Sequence, residues 1–434
     1  MINYLYYIIA TILTSFYIFP IEFVFLPTAN TKMIMAVLGI PVLVFNMITH
    51  RKSTIPVDFI NIGILAALVS LVGVISISYN GTSDYTYATY FISFSVWSFA
   101  AYFVTSCIRA IHKRISVTIV CNYLIAVCTA QCVIAILIDS LPFLKETINS
   151  IVIGFGSMHS AGSGLEEANR LYGIGAALDV AGTRFSATLA ITGILMSKFH
   201  NNDEKKIFKI YFIIFCILLI IGCMISRTTI IGLIICAVYW ICNKQENNFS
   251  FLGHLVLLLT LATIAVVYLY HNNRYIHENL RFGFEFLFNW LERGEWSTNS
   301  TNILENMYKF PNNLKTWIIG DGYFKEPSIS DPYYTGETRN WGEFYMGTDV
   351  GYIRFLYYFG AIGLLTFITY FLYITRTCIN RFKTHKWIFY AILIANLIIW
   401  GKVATDIFCI FALFLMINPE DNNEYENLSH IEKV

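Results

Sequence analysis

Long apolar blocks separated by short polar segments run along the whole chain. An α-helix needs about 20 residues to cross a bilayer, and most of the blocks approach that length. The pattern predicts helices at 3–24, 31–49, 58–78, 87–109, 115–139, 182–199, 210–226, 228–242, 250–270, 350–375, 387–400 and 403–417. The chain is therefore expected to be an all-α polytopic membrane protein of about twelve transmembrane helices, with residues 1–434 as a single membrane domain. Between the last two helices, "GKVATD" is either a tight turn or a kink in one long helix.

Composition supports a membrane protein. Of the 434 residues, 56% are hydrophobic and 13% are charged, and the mean hydropathy is +0.60. A soluble domain carries about a quarter charged residues. The first apolar block lacks a basic start and a cleavage site of small residues, so we expect a retained helix. The cysteines fall in or at the ends of apolar blocks, which indicates small buried hydrophobes rather than a disulfide framework or a metal site.

The basic residues predict the orientation. The alternate loops "HRKS", "RAIHKR", "KFHNNDEKKIFK", "CNKQ" and "RTCINRFKTHK" hold 14 of the 29 lysines and arginines. The opposite short loop, "YNGTSDYTY", holds none. By the positive-inside rule the basic loops, both termini and the polar tail 418–434 are cytoplasmic. Residues 140–181 and 271–349 then form loops on the outer side, and in the second loop we expect amphipathic helices at 276–292 and 301–310.

Four arginines lie near the predicted outer face: Arg170, Arg184, Arg227 and Arg354. Arg227 interrupts the apolar stretch "IIGCMISRTTIIGLIICAVYW", where a charge normally faces a bundle interior or a cavity. A guanidinium binds phosphate oxygens in a bidentate way, so four of them at similar depth suit a lipid-linked phosphate or pyrophosphate. The alternatives are snorkelling for Arg354 and Arg184, a structural ion pair for Arg227 and simple solvation for Arg170.

The segment "TDVGYIRFLYYFGAIGLL" places Asp349, Tyr352 and Arg354 where a predicted helix begins. Asp349 has a structural interpretation, because Thr348 or Asp349 would be a good N-cap for this helix. The aromatic residues of the 271–349 loop also have a structural interpretation: they would form a small hydrophobic core within that loop. A minority of them would instead stack on sugar rings.

Three motifs resemble the superfamily of O-antigen polymerases and O-antigen ligases, the Wzy-type bacterial polysaccharide enzymes. "NRLYGIGAALDVAGTRFSATLA" is similar to the family's Arg-x-x-Gly loop that runs into a helix, and "LLIIGCMISRTTIIGL" to its Ser-Arg signature between two helices. "WIIGDGYF" with the later "GTDVGYIRFLYYFGAIGLL" is similar to its Gly-x-Gly segment, long insert and following helix. Ligases of the family usually carry a histidine where this chain has Asp349, so the resemblance favours a polymerase.

The resemblance implies a GT-C-like glycosyltransferase of the bacterial inner (cytoplasmic) membrane, with its large periplasmic loop before helix ten and an active site facing the periplasm. It would transfer a growing O-antigen or capsule glycan from undecaprenyl pyrophosphate to the non-reducing end of another lipid-linked repeat unit. Its partners would be that lipid-linked oligosaccharide, membrane lipid and a chain-length regulator, and not nucleic acid.

No cofactor or metal is predicted. The sequence contains no P-loop and no Asp-x-Asp motif, so neither ATP nor a nucleotide sugar is indicated. No cluster of carboxylates or histidines with metal-ligand spacing is visible either. Asp349, or else Glu343, would take the proton of the acceptor hydroxyl. Arg227 and Arg170 would stabilise the leaving pyrophosphate. Arg354 and Arg184 would help to hold the diphosphate, and Tyr352 would orient Asp349 or Arg354.

Other functions stay open at this point. An O-antigen ligase would transfer the glycan to the lipid A core. A flippase or secondary transporter for lipid-linked sugars would favour inverted repeats and charges at the membrane midplane, and neither is visible in the sequence. A structural scaffold would have no need for buried arginines.

Overall fold

The computed structural model describes residues 2–49, 56–153, 171–198, 205–243, 253, 260, 281, 284–325 and 344–422. Its helices are α1 Ile2–Ile18, α2 Thr31–Thr49, α3 Val57–Asn80, α4 Tyr90–His112, α5 Val117–Ser140, α6 Pro142–Ile151, α7 Leu178–Met196, α8 Lys205–Ile225, α9 Ile230–Cys242, α10 Glu285–Arg293, α11 Asn299–Met307, α12 Leu314–Ile318, α13 Gly351–Arg381, α14 Lys386–Ile399 and α15 Phe408–Leu415.

Within these ranges, six helices are long and apolar enough to cross a membrane. They are α2, α3, α4, α5, α13 and residues 206–225 of α8. The chain is therefore an α-helical membrane protein. The helices α1 and α9 are apolar but shorter, and the count of twelve membrane spans stays a prediction.

The chain divides into two compact units. The first comprises Met1–Ile34, Ser116–Thr298 and Tyr390–Ala395, and the second comprises Met35–Ile115, Asn299–Phe389 and Asn396–Val434.

In the first unit, α7 packs against α5, α8 and α9 and is buried from Ala181 to Met196. Small residues allow this close packing, as is usual between membrane helices. A Cβ on Gly182 would collide with the Ser226 side chain, and one on Gly232 would collide with the carbonyl of Ser186. A small antiparallel sheet, β1 Glu22–Phe23, β2 Leu26–Asn30 and β3 Val152–Ile153, has the strand order β2-β1-β3.

In the second unit, α13 packs mainly against α3 and α12. This helix is broken near its first third: Phe359 and Gly360 leave helical geometry, and Gly360 has a φ of 67°. Only glycine adopts this backbone region readily. A Cβ at Gly360 would also collide with the carbonyl of Ile318, so the break requires glycine on two grounds.

The predicted helices at 31–49, 58–78, 87–109 and 115–139 are confirmed as α2 to α5, with ends within three residues of those expected. The amphipathic prediction at 301–310 matches α11, and α10 matches the second half of the one at 276–292. The predicted helix 250–270 lies outside the described residues, apart from single positions. The prediction at 403–417 is too long, because the helix there has 8 residues and is too short to cross a bilayer alone. The helix α6 within the 140–181 loop was not predicted.

Candidate functional site

The break in α13 positions the candidate site. A break removes intrahelical partners from the preceding carbonyls, and such groups need replacement donors. The turn after α12 supplies them: the Asp321 N–H donates to Tyr357 O at 2.6 Å, and the Gly322 N–H donates to Tyr358 O at 3.1 Å. The Ser76 hydroxyl of α3 donates to Tyr358 O as well, at 2.6 Å. The "GDG" turn is therefore bonded directly to the helix that carries Arg354.

The same turn leads to Phe324, which a third segment fixes. The Asp84 carboxylate, between α3 and α4, accepts from the Phe324 and Lys325 N–H groups at 2.7 and 2.8 Å. The Tyr358 hydroxyl donates to the Asp84 carbonyl at 2.8 Å. Phe324 is thus held rigidly beside α13, where its ring and its carbonyl meet Arg354.

Asp349 and Arg354 form the charged centre of this region. Nη1 of Arg354 lies 3.3 Å from Oδ1 of Asp349, and Nη2 donates to Phe324 O at 3.0 Å. The guanidinium carbon lies 3.7 Å from the ring centre of Phe324 and 4.5 Å from that of Phe344. The Arg354 side chain is 8% exposed, whereas that of Asp349 is 23% exposed. The carboxylate is therefore the accessible member of the pair.

The capping interpretation of Asp349 is wrong. The N-cap of α13 is Val350, and no side chain caps the helix. Thr348 does not cap it either: its hydroxyl donates to Met307 O at 2.7 Å and accepts from Val350 N–H at 3.3 Å. Asp349 turns to Arg354 instead, so its position is set by a charge partner on the next helical turn.

The surroundings of Arg354 bear on its predicted role. The side chain does not snorkel, because it is buried between two aromatic rings. A bidentate grip on a diphosphate needs two donors that the ligand can reach. Nη1 and Nη2 each use one N–H group on Asp349 and Phe324 O, and the side chain is only 8% exposed. Within the described part of the chain, Nε is buried and has no hydrogen-bond partner. This geometry favours a positioning role of Arg354 toward Asp349, and the role in holding a diphosphate stays a prediction.

Tyr352 connects the start of α13 to α14. Its hydroxyl donates to Leu397 O at 2.7 Å, and its N–H donates to Trp400 O at 3.0 Å. These bonds tie the first turn of α13 to the end of α14. The hydroxyl proton is committed to the carbonyl of Leu397, and the prediction that the phenol orients Asp349 or Arg354 stays a prediction.

A polar cluster centred on Asp321 was missed by the sequence analysis. Its Oδ1 accepts from Lys315 Nζ at 2.7 Å and from the Thr316 hydroxyl at 2.6 Å, and its Oδ2 accepts from the Tyr345 hydroxyl at 3.3 Å. Lys315 also donates to Oδ1 of Asn80 at 2.6 Å. The "GDG" motif was the available signal, but spacing along the chain did not reveal the lysine partner. These hydrogen bonds hold the "GDG" turn, which in turn bonds to α13.

In the first unit, Arg227 begins the short 3-10 turn Arg227–Thr229 between α8 and α9, as the sequence predicted. Its Nη1 lies 2.6 Å from Oε2 of Glu285, the first residue of α10, and both side chains are about one-fifth exposed. Burial lowers the pKa of Arg227, and the Glu285 carboxylate opposes this shift. The structure therefore contains the ion pair that was the alternative interpretation of Arg227, with Glu285 as its partner. Glu285 was not foreseen, since nothing in the sequence links positions so far apart.

Arg184 lies in α7, is 7% exposed and is 5.4 Å from the ring centre of Phe19, so it does not snorkel. Arg170 and Glu343 lie outside the described residues. The predicted gathering of four guanidiniums at one depth therefore stays a prediction. Among the described residues, no group of three or more His, Cys, Asp or Glu side chains is arranged to hold a metal ion.

The fold and these sites define an α-helical membrane protein with a carboxylate–guanidinium pair at the start of a broken helix. Comparison of the chain with protein-family models, curated proteins and solved structures gave no match.

Proposed function

We propose that this protein is a polysaccharide repeat-unit polymerase, a metal-independent glycosyltransferase of the GT-C-like type. It transfers a growing O-antigen or capsule glycan from undecaprenyl pyrophosphate to the non-reducing sugar of another lipid-linked repeat unit. The reaction takes place at the periplasmic face of the bacterial inner membrane. The observation that carries the proposal is the Asp349–Arg354 pair: an accessible carboxylate held by an enclosed guanidinium, in the motif that resembles these enzymes.

The proposed chemistry needs a base at this position. The acceptor hydroxyl oxygen forms a bond to the anomeric carbon of the donor sugar, and Asp349 takes the hydroxyl proton. The bond between that carbon and the pyrophosphate oxygen breaks, and the pyrophosphate leaves with the electron pair. General-base assistance of this kind contributes about 10²–10⁴-fold to the rate.

Arg354 acts through Asp349. A positioned base is effective only when its oxygen lies at hydrogen-bond distance from the proton that it removes. The guanidinium is itself fixed by Phe324 O and by two aromatic rings. Stabilisation of the leaving pyrophosphate remains assigned to Arg227 and Arg170 as a prediction from the sequence, on the principle that cations belong where negative charge develops. Arg184 remains predicted to help hold the diphosphate.

Purified protein tests this proposal. Incubation with lipid-linked repeat units alone is expected to give a ladder of longer chains on undecaprenyl pyrophosphate. Asp349→Glu and Asp349→Asn can be compared with Asp58→Asn as a control, because Asp58 is an exposed acid 3.9 Å from Arg381 in the same unit. Transfer only to lipid A core would identify a ligase instead, and movement of the lipid without new glycosidic bonds would identify a transporter.

A further inference from the structure

The turn just before Asp349 is held in an unfavourable backbone conformation. Met346 has a φ of 55° and Gly347 has a φ of 60°, so both residues lie in the left-handed region. Glycine adopts this region readily, but a methionine rarely does. Such a conformation persists only where the surrounding structure enforces it, and it is concentrated at functional sites. Whatever enforces this turn also fixes the backbone that carries the Asp349 carboxylate.

Tyr345 anchors the turn on its N-terminal side. The residue is buried, and its hydroxyl donates to Oδ2 of Asp321 at 3.3 Å. Its ring stacks on that of Tyr323, with ring centres 5.2 Å apart, and meets the Tyr357 ring of α13 edge-on at 5.5 Å. The carboxylate that accepts the bond is itself held by Lys315 Nζ at 2.7 Å. Tyr345 therefore ties the beginning of the turn to the polar cluster centred on Asp321.

Thr348 anchors the turn on its C-terminal side. The residue is fully buried. Its hydroxyl donates to the carbonyl of Met307, the last residue of α11, at 2.7 Å, and it accepts from Val350 N–H at 3.3 Å. Thr348 precedes Asp349 and Val350 follows it. One hydroxyl therefore links the backbone on both sides of the carboxylate and ties it to α11.

Both anchors act on the residue that serves as the base in the proposed function. The Asp349 side chain meets Arg354 on α13, whereas its backbone is fixed from α11 and, through Tyr345, from the "GDG" turn. A base is effective only when its oxygen lies at hydrogen-bond distance from the proton that it removes. We propose that Thr348 and Tyr345 are positioning residues, which hold the Asp349 carboxylate at the acceptor hydroxyl by fixing the turn before it. This inference rests on the proposed function, because it requires Asp349 to be the base.

Two variants of nearly unchanged shape test the anchors: Thr348→Val and Tyr345→Phe each remove only a hydroxyl. Displacement of a catalytic group by about 1 Å costs on the order of 10²-fold in rate, and one anchor remains in each variant, so we expect kcat to fall on the order of tenfold. KM for the lipid-linked donor should be unchanged, because neither side chain contacts the donor in this account. Thr348→Ser keeps the hydroxyl and should retain most of the wild-type rate. The assay is ladder formation by the purified full-length protein over a range of donor concentrations.

Matched controls come from later in α13. Thr375 is buried and its hydroxyl donates to Phe371 O at 2.8 Å, and the Tyr373 hydroxyl accepts from Nδ2 of Asn61 at 3.0 Å. Thr375→Val and Tyr373→Phe therefore lose comparable hydrogen bonds away from the turn, and they should keep the wild-type kcat. The melting temperature of each anchor variant should match that of its control.

The Asp349→Asn background separates positioning from a general structural role. If Thr348 acts through the carboxylate, Thr348→Val should cause no further loss once the base is absent, because effects that pass through one group are not additive. A tenfold loss that persists in Asp349→Asn would overturn the proposal. So would wild-type kcat in both anchor variants, a rise in KM at constant kcat, or a melting temperature well below that of the controls. Failure of the proposed function is separate, since it appears as an absence of ladder formation by the wild-type protein.

Discussion

Replacement of Arg354 by lysine separates a positioning role from a phosphate-binding role. The guanidinium bonds Asp349 and Phe324 O through two nitrogens and stacks between two rings. A lysine ammonium is a single point charge and cannot reproduce that planar fork. Displacement of a catalytic group by about 1 Å costs on the order of 10²-fold in rate. We therefore expect Arg354→Lys to lower kcat by about 10²-fold.

The same variant should leave KM for the lipid-linked donor nearly unchanged, because Arg354 does not contact the donor in this account. The assay is ladder formation by purified protein over a range of donor concentrations. Arg381→Lys is the matched control: Arg381 lies on the same helix, donates to Leu415 O at 3.1 Å and lies near an aspartate, but it is distant in sequence from the pair. A large rise in KM at constant kcat would refute the positioning role and return Arg354 to the diphosphate.

Three further predictions follow from other parts of the chain. Arg227→Ala should abolish polymer formation in correctly inserted protein. Arg227→Lys should largely abolish it too, because a point charge replaces a bidentate fork. Near-normal polymer formation by either variant would exclude a phosphate-binding role for Arg227. Gly360→Ala should lower the amount of folded protein, because the added Cβ would collide with the carbonyl of Ile318. Size-exclusion chromatography measures this amount. Gly253→Ala is the control and should be neutral, because a Cβ there has no neighbour within 4 Å. EDTA should leave activity intact, because the sequence shows no cluster with metal-ligand spacing; loss in EDTA with rescue by a divalent ion would contradict this.

The apolar blocks predicted most of the helices. Long apolar segments such as 31–49 and 115–139 lie in the membrane, where a single segment satisfies its own backbone hydrogen bonds only as a helix. The break in α13 was not predictable, since "FGAIG" is compatible with a continuous helix and the break depends on the distant "GDG" turn. The Ser-Arg turn of Arg227 was predictable from one charge in an apolar stretch. Its Glu285 partner was not, because the pairing is set by tertiary structure.

The candidate site was predicted in part. Asp349 and Arg354 were chosen as residues, and the structure brings them together at 3.3 Å. Their roles were less accessible from the sequence. Neither the enclosure of Arg354 by Phe324 and Phe344 nor the bond from Tyr352 to Leu397 O follows from spacing along one helix, because both partners come from other segments.

The most direct test of the central claim is the turnover of Asp349→Asn, measured together with its affinity for the lipid-linked donor. Asparagine keeps the size of the side chain but cannot accept the acceptor proton as a carboxylate does. We expect the rate of ladder formation to fall by about 10²–10⁴-fold, with donor affinity and protein level unchanged, and cells carrying only this variant to accumulate single repeat units. Long chains made by Asp349→Asn at the wild-type rate would contradict the assignment of Asp349 as the general base.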